Sequence, residues 1–384
     1  MEVCHICGAL DIVSEMVLKD YPITNIYLDR SEESANYVFD AKITQCKCGH
    51  VQLRSTYDTT SFYTENYQYN GYAATVVARR NTGVKLINNY IRGFDPHCIV
   101  DIGCGQLSML KALGGGYLKS KLIGLDPVPL QQNVDRLRIE FLNEEFTGQL
   151  TGIHSSSSSN LYILDNVMEH IFDLTSFMDN LLSNTKVGDF VYVCVPSFDL
   201  ISKKMQFQEF IHEHCHYFKI KELEQLFTNF GFKVLESFSS QDDGRSYNYH
   251  MFIRDDYKSR NINTDGEDIV SALDAYRGIL KVINENIQTL DRKIYGVCAS
   301  ELTPTLAYFM ESDFDFCQAI FDTSPHKAGK YIVKVKPPIL GMEEVLKIKS
   351  DAYFFITAPN LALPVMNNMK RYGIEDFIVP ALIV

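Results

Sequence analysis

The stretch His97-Cys-Ile-Val-Asp-Ile-Gly103-Cys-Gly105-Gln-Leu-Ser-Met-Leu-Lys-Ala-Leu113, followed by Lys121-Leu-Ile-Gly-Leu-Asp126, decides the fold. His97 to Ile102 is a continuous apolar run broken only by Asp101, the pattern of a strand buried on both faces. Gly103 and Gly105 follow at once and let the backbone pass close to a ligand at a strand-to-helix turn. Gln106 to Leu113 then reads as a helix, and Lys121 to Leu125 as a second strand ending in Asp126. This is one β–α–β unit of about 30 residues. An acidic side chain at the end of its second strand can accept both hydrogen bonds from ribose hydroxyls. A dinucleotide turn would carry a third glycine, where this chain has Ser108.

Further strands lie on both sides of that unit. Leu161 to Leu164 leads into Asp165-Asn166-Val-Met-Glu-His170, and Phe190 to Val195 ends at Pro196. Ser155 to Ser159 reads as a flexible loop. Asn263 to Ile294 reads as a long amphipathic connecting helix, with Thr264 or Asp265 as its N-cap. Beyond it, Lys293–Val297, Cys317–Phe321, Ala352–Ile356 and Phe377–Val379 read as strands of a second, degenerate Rossmann-like unit. The expected fold is α/β, in three parts. A small zinc-binding domain spans 1–75 and a central Rossmann-like domain spans 76–260. A C-terminal Rossmann-like domain for substrate or nucleotide spans 261–384.

The amino-terminal part carries Cys4-His-Ile-Cys7-Gly and Cys46-Lys-Cys48-Gly. Two close thiol pairs far apart in sequence commonly assemble a tetrahedral Cys₄ zinc site, here of structural type because the protein supplies all four ligands. A redox pair, or four unrelated cysteines, are the alternatives, and His5 or His50 could replace a thiolate. The remaining six cysteines are scattered, mostly in apolar runs, and read as small core residues. The chain has 384 residues, 22 Tyr, 24 Phe and no Trp, with a formal net charge of -12. That balance argues against coating nucleic acid. Neither a secretory leader nor an apolar run long enough to span a bilayer is visible, so a soluble cytoplasmic protein without a membrane partner is expected.

Phe207-Gln-Glu-Phe-Ile-His212-Glu213-His214-Cys-His216-Tyr-Phe concentrates imidazoles and a carboxylate. Histidine suits proton abstraction near neutral pH. Metal binding and a non-catalytic surface or core role are the alternatives for these three histidines.

Asp101-x-Gly-Cys-Gly105, with Asp126 21 residues past Gly105, resembles the first two motifs of class I methyltransferases that use S-adenosylmethionine. Asp165-Asn166-Val-Met-Glu-His170 resembles their fourth-strand motif. A Rossmann-like fold without this cofactor is the alternative. The wider order of motifs is similar to that of sugar C-methyltransferases acting on nucleotide-linked 4-keto deoxyhexoses. It includes Cys48-Gly-His-Val-Gln-Leu53, Asn66-Tyr67-Gln-Tyr69, Glu213-His214, Tyr295-Gly-Val297 and Asp322-Thr-Ser-Pro-His-Lys327. The resemblance runs along almost the whole chain.

The resemblance implies S-adenosylmethionine held by Asp101, Gly103, Gly105, Asp126 and Asn166, with Asp101 near the methionine amino end. It implies His214 as base, with Glu213, His170 and Tyr67 beside it. It implies substrate contacts from Tyr69, Phe207, Arg245 and Asn360, and zinc on Cys4, Cys7, Cys46 and Cys48. The implied substrate is a nucleotide-linked (dTDP-type) 4-keto deoxysugar, methylated at C3, and the implied assembly a monomer or small homo-oligomer. Two positions depart from the family. Ile211 stands where it has an active-site tyrosine, and Val297-Cys298-Ala299 stands where its loop often has a second glycine. Methylation of a sugar oxygen or nitrogen, or a zinc-containing binding protein without activity, are the competing readings.

Overall fold

The computed structural model describes residues 3–10, 12–55, 74–93, 95–131, 138–153, 158–242, 244–255, 268–348 and 352–380. After the Cys4–Cys7 turn, β1 (Ile12–Pro22), β2 (Val38–Cys46) and β3 (Val51–Ser55) form an antiparallel sheet. Its fourth strand is the short segment His216–Tyr217, which pairs with Val51 and Gln52 of β3. The amino-terminal sheet therefore incorporates residues from the middle of the chain.

The helix α1 (Ala74–Ile91) leads into the central domain. Its sheet is built from β4 (Cys98–Ile102), β5 (Lys121–Leu125), β6 (Ile139–Leu142), β7 (Leu161–Asp165), β8 (Phe190–Pro196), β9 (Phe232–Asp242) and β10 (Arg245–Arg254), in the spatial order β9-β10-β8-β7-β4-β5-β6. The strands from β8 to β6 are parallel, and the β9–β10 hairpin packs antiparallel on β8. Every residue of β4 is buried, as its unbroken apolar run requires. The helices α2 (Ser108–Gly114) and α3 (Leu174–Asn184) flank the sheet, and Asp173 caps α3 through Ser176 N–H at 3.1 Å. The order switches between β4 and β7, and open α/β sheets bind ligands in the crevice beyond such a switch.

A third sheet follows α4 (Ile269–Ile287). It contains β11 (Lys293–Val297), β12 (Cys317–Asp322), β13 (Ile339–Gly341), β14 (Ala352–Ile356) and β15 (Phe377–Ile378), all parallel, in the order β13-β12-β11-β14-β15. The molecule thus has two Rossmann-like α/β domains and an amino-terminal Cys-rich region. The long connecting helix expected over Asn263 to Ile294 is shorter. It starts after Asp268, whose carboxylate accepts from Val270 N–H, and stops at Ile287, because Ile294 belongs to β11. Thr264 and Asp265 lie outside the described residues.

One apolar core unites distant parts of the chain. Tyr21 and Ile43 of the first sheet, Phe210, Leu273 of α4, and Leu306 and Phe309 of the C-terminal domain all belong to it. Tyr27–Leu28 also pairs with Tyr331–Ile332 of the C-terminal domain. Among the described residues, no helix is long and apolar enough to cross a membrane.

Candidate active site

The turn after β4 is shaped by its own backbone. Gly103 and Cys104 N–H both donate to Leu125 O, at 2.8 and 3.0 Å, which locks the end of β4 to the end of β5. Gly103 takes φ 68°, and a Cβ there would come within 2.6 Å of Val167 Cγ2. Only glycine fits both demands. Asp126 accepts from Gly105 N–H at 2.7 Å and from Val128 N–H at 2.8 Å, so its carboxylate is fixed before any ligand arrives. Burial nevertheless pushes its pKa up.

Asp101 is buried, and its Oδ2 has no hydrogen-bond partner among the described residues. Burial, with Asp165 and Asp126 nearby, holds its pKa well above the usual carboxylate range. Such a group calls for a cation or a donor from a ligand. Asn166, at φ 59°, donates its N–H to Cys194 O at 2.8 Å, and its side-chain Oδ1 is buried without a partner among the described residues.

A cavity of about 1540 Å³ opens above this turn. Asp101, Gly103, Gly105, Asp126 and Asn166 line one end. Its walls also include His170, Glu213, His214 and Arg245, and the C-terminal domain closes it with Cys298, Glu301 and Lys327. The volume exceeds the several hundred Å³ common for one small ligand.

The three histidines of the 212–216 segment separate cleanly. His212 turns away, its Nδ1 3.3 Å from Thr24 N and 3.1 Å from Thr24 Oγ1. His216 Nδ1 lies 3.0 Å from His50 Nε2, and His50 Nδ1 lies 3.1 Å from Glu222 Oε2, forming a buried polar chain. His214 faces the cavity. Its ring meets that of His170 edge to face, with centroids 4.8 Å apart. His170 Nδ1 lies 3.1 Å from Glu213 O. Burial drives the His170 pKa down to about 4. His214 is held well below the usual histidine value by burial, with His170, Arg245 and His212 adding repulsion. Both rings are neutral at pH 7 and able to accept a proton.

The four clustered cysteines converge as their spacing suggests. Cys4 Sγ lies 3.6 Å from Cys48 Sγ, and Cys7 Sγ 3.5 Å from Cys46 Sγ. All four sulfurs lie within 4.8 Å of one another. A tetrahedral zinc with bonds of about 2.3 Å separates its sulfurs by roughly 3.8 Å, so the donor set fits that ion. The turn that brings Cys48 round is closed by Gly49 N–H on Cys46 O at 2.8 Å, with Gly49 at φ 91°.

Residues 78–237 match the model of a methyltransferase domain, and residues 271–381 that of a C-methyltransferase C-terminal domain. The chain is an S-adenosylmethionine-dependent methyltransferase. No curated protein sequence matches it. Among solved structures it is similar to the 1,6-didemethyltoxoflavin-N1-methyltransferase of Burkholderia thailandensis, at 13% identity and a TM-score of 0.38, over 47% of this chain and 79% of that one. It is also similar to the magnesium protoporphyrin IX methyltransferase of Synechocystis PCC 6803, at 11% identity and a TM-score of 0.37, over 50% and 91%.

The remaining expected site residues of the methyltransferase fall in different places. Arg245 lines the cavity and forms an ion pair with Glu301 of the C-terminal domain. Asn360 is not on the wall; its Nδ2 donates to Glu209 Oε1 at 2.9 Å, and Glu209 faces the cavity. Phe207 is also absent from the wall. It is fully buried, packed against Phe210 and Tyr276, because the 3₁₀ turn Phe207–Glu209 points its ring into the shared core. Tyr67 and Tyr69 lie outside the described residues. Ile211 lines the cavity. Cys298 takes φ 77°, the left-handed conformation that glycine would adopt without strain, and its N–H donates to Phe321 O at 2.8 Å.

Arg79, Glu209 and Glu301 are among the wall residues that were not anticipated. Arg79 and Glu301 lie at helix and loop positions with no motif around them. Glu209 stands inside the Phe207–Phe218 segment, where only the histidines drew attention.

Proposed function

We propose that the methyltransferase transfers a methyl group to the carbon next to the keto group of a nucleotide-linked 4-keto deoxysugar. The observation that carries this reading is the pair of neutral imidazoles, half-buried His170 and buried His214, on the wall of the cavity that also holds the cofactor turn and residues of the C-terminal domain. The match of residues 271–381 to a C-methyltransferase C-terminal domain supports carbon as the acceptor atom.

When bound, S-adenosylmethionine supplies a methyl group already activated by the positive charge on sulfur. Asp101, Gly103, Gly105, Asp126 and Asn166 hold it. The 4-keto group acidifies the proton on C3, and His214 Nδ1 or Nε2 takes that proton. Its depressed pKa keeps it ready to accept at neutral pH. The imidazolium so formed on His214 stabilises the developing enolate by its charge. His170 donates its Nδ1–H to Glu213 O, which leaves its Nε2 as an acceptor toward the substrate. Glu213 positions the segment, and Arg245 contacts the substrate near Glu301. Ile211 contributes no hydroxyl to orient the keto group. The four cysteines would hold a structural zinc.

The test is NMR in D₂O with S-adenosylmethionine and a panel of nucleotide-linked 4-keto-6-deoxyhexoses. Loss of the C3 proton with a new C-methyl signal is the expected result. A new O-methyl or N-methyl signal without C3 exchange would instead assign the acceptor to oxygen or nitrogen.

A further inference from the structure

The mechanism leaves one buried acid beside the two imidazoles unused. Glu169 and His170 belong to the 3₁₀ turn Met168–His170, a few residues beyond β7. Glu169 O accepts from Cys215 N–H at 2.8 Å, which ties that turn to the residue after His214. One donor atom each from Glu169, His170 and His214 lie within 4.8 Å of one another. His170 donates Nδ1–H to Glu213 O, so its lone pair is on Nε2, and that atom lies 4.0 Å from Glu169 Oε1. A tetrahedral zinc ion with bonds of about 2.1 Å separates its donors by roughly 3.4 Å. Small side-chain rotations therefore close the set around an ion.

Glu169 is 1% exposed, and both of its carboxyl oxygens are buried without a hydrogen-bond partner among the described residues. Buried polar atoms are normally satisfied, and two orphaned oxygens on one carboxyl call for a cation or a donor. Arg79, whose charge favours ionised Glu169, is hydrogen-bonded to Asp165 instead. His170 and His214 line the cavity, whereas Glu169 is not on its wall. An ion held by these three keeps its remaining position open to the cavity, unlike one enclosed by four cysteines. Two neutral imidazoles and one carboxylate suit zinc and the neighbouring divalent transition ions, whereas magnesium and calcium prefer oxygen donors alone. Arg245 repels positive charge at His214, but Glu301 is its ion-pair partner.

We propose that Glu169, His170 and His214 form a second metal site, for a divalent ion of the zinc type, and that the ion inhibits methyl transfer when bound. Coordination uses the in-plane lone pair of each imidazole, and a neutral imidazole has only one. His214 bound to an ion can therefore take no proton. The metal site stands on the three side chains alone, and its inhibitory effect rests on the reading of His214 as base. His212 and His216 take no part, since their rings are engaged with Thr24 and His50.

The probe is cobalt(II), added to the full-length protein already carrying one zinc per chain on its cysteines. Visible absorption reports nitrogen and oxygen ligation, and ultraviolet thiolate-to-cobalt charge transfer reports any exchange into the cysteine site. One further ion per chain should bind, with visible absorption and no thiolate band. Glu169→Gln and His170→Ala should each weaken it by at least roughly ten- to a hundred-fold, the cost of losing even a residue that only supports a ligand. Gln keeps the shape of the carboxyl, whose pKa burial already pushes up to about 8, and half-buried His170 tolerates truncation. His97→Ala, at an exposed histidine, should leave cobalt affinity unchanged. Methyl transfer, followed as S-adenosylhomocysteine formed, should fall in step with cobalt occupancy in the parent. The ratio of rates with and without cobalt should approach one in Glu169→Gln. Absence of a further ion, or an ion that both substitutions leave in place, would overturn the site. An ion bound there with an undiminished rate would overturn the inhibition. A parent that binds cobalt as expected yet methylates no nucleotide-linked keto sugar would refute the C-methylation reading while upholding the metal site.

Discussion

The turn between β4 and α2 and the segment from Ile211 to Phe218 both line the cavity, yet they are built in opposite ways. The turn is local. Gly103, Gly105 and Asp126 fall within one β–α–β unit, and their mutual hydrogen bonds need nothing from outside it. The segment has almost no regular structure of its own. Thr24 engages His212, His50 engages His216, β3 pairs with His216–Tyr217, and Glu169 O accepts from Cys215 N–H at 2.8 Å. Its supports come from the amino-terminal sheet and from the loop after β7. A site made by one short unit depends heavily on each residue in it. A site held from many sides depends on the reactive group itself and only weakly on each support.

The largest expected effect separates the two. His214→Ala should lower turnover by about 10²- to 10⁴-fold, the usual contribution of a positioned base, and leave S-adenosylhomocysteine binding unchanged. Parallel measurement of kcat and cofactor affinity checks it. A fall in cofactor binding of similar size would mean that the two walls are not independent. Asp126→Ala comes next, with the opposite pattern. It removes the proposed ribose acceptor and the partner of two backbone amides, so cofactor affinity should fall roughly ten- to a hundred-fold. The chemical step, measured at saturating cofactor, should change little.

This difference also explains what could be read in the sequence. The glycine turn, its flanking strands and the acid at Asp126 are a local pattern, and the structure has them at those residues. The two cysteine pairs were likewise legible, because each pair is a tight turn. The long-range arrangement was not. Nothing in His212-Glu-His214-Cys-His216 says that alternate imidazoles turn away, because that follows from pairing His216 with the edge of β3. The resemblance makes Phe207 a candidate substrate contact, and only the core shared by three parts of the chain removes it from the wall. Arg79 and Glu301 carry no motif, since their roles arise from tertiary proximity to Asp165 and Arg245. The β9–β10 hairpin went unread, although Gly244 stands between its strands.

Metal removal probes the far support of the segment. Cys46 ends β2, which pairs with β3, which pairs in turn with His216–Tyr217. Stripping zinc with a chelator should therefore loosen the segment and lower kcat by roughly an order of magnitude, comparable to losing the outer support of a reactive group. S-adenosylhomocysteine affinity should hold, because the glycine turn has no contact with that sheet through its own hydrogen bonds. Released zinc is measured with a colorimetric chelator, and a protein that is fully folded without zinc contradicts the structural role.

Acidity sharpens the comparison further. Burial disfavours protonation of His170 and His214, so both remain bases as pH falls through 6.5. The acid limb of kcat/KM should lie near 4 or below, where His170 titrates, rather than at the usual histidine value. Stability carries the same sign. Between about 4 and 6.5 the unfolded chain binds protons that folded His170 refuses, so this contribution is fully present above 6.5 and declines as pH falls. Rates taken by brief pH jump separate the catalytic limb from acid unfolding.

The smallest effect is the most telling about the distributed wall. Thr24→Val removes the hydroxyl 3.1 Å from His212 Nδ1 but keeps the backbone N–H of residue 24 beside the same ring nitrogen. It should cost about 1 kcal/mol of stability, the net value of one ordinary hydrogen bond, read from a shifted denaturation midpoint. Turnover should stay within twofold of the parent, because β3, Glu169 and the shared core still hold His214 in place. A tenfold loss of kcat from so small a change would show that the orientation of His212 is transmitted directly to His214. The segment would then be as brittle as the glycine turn, and the contrast between the two walls would fail.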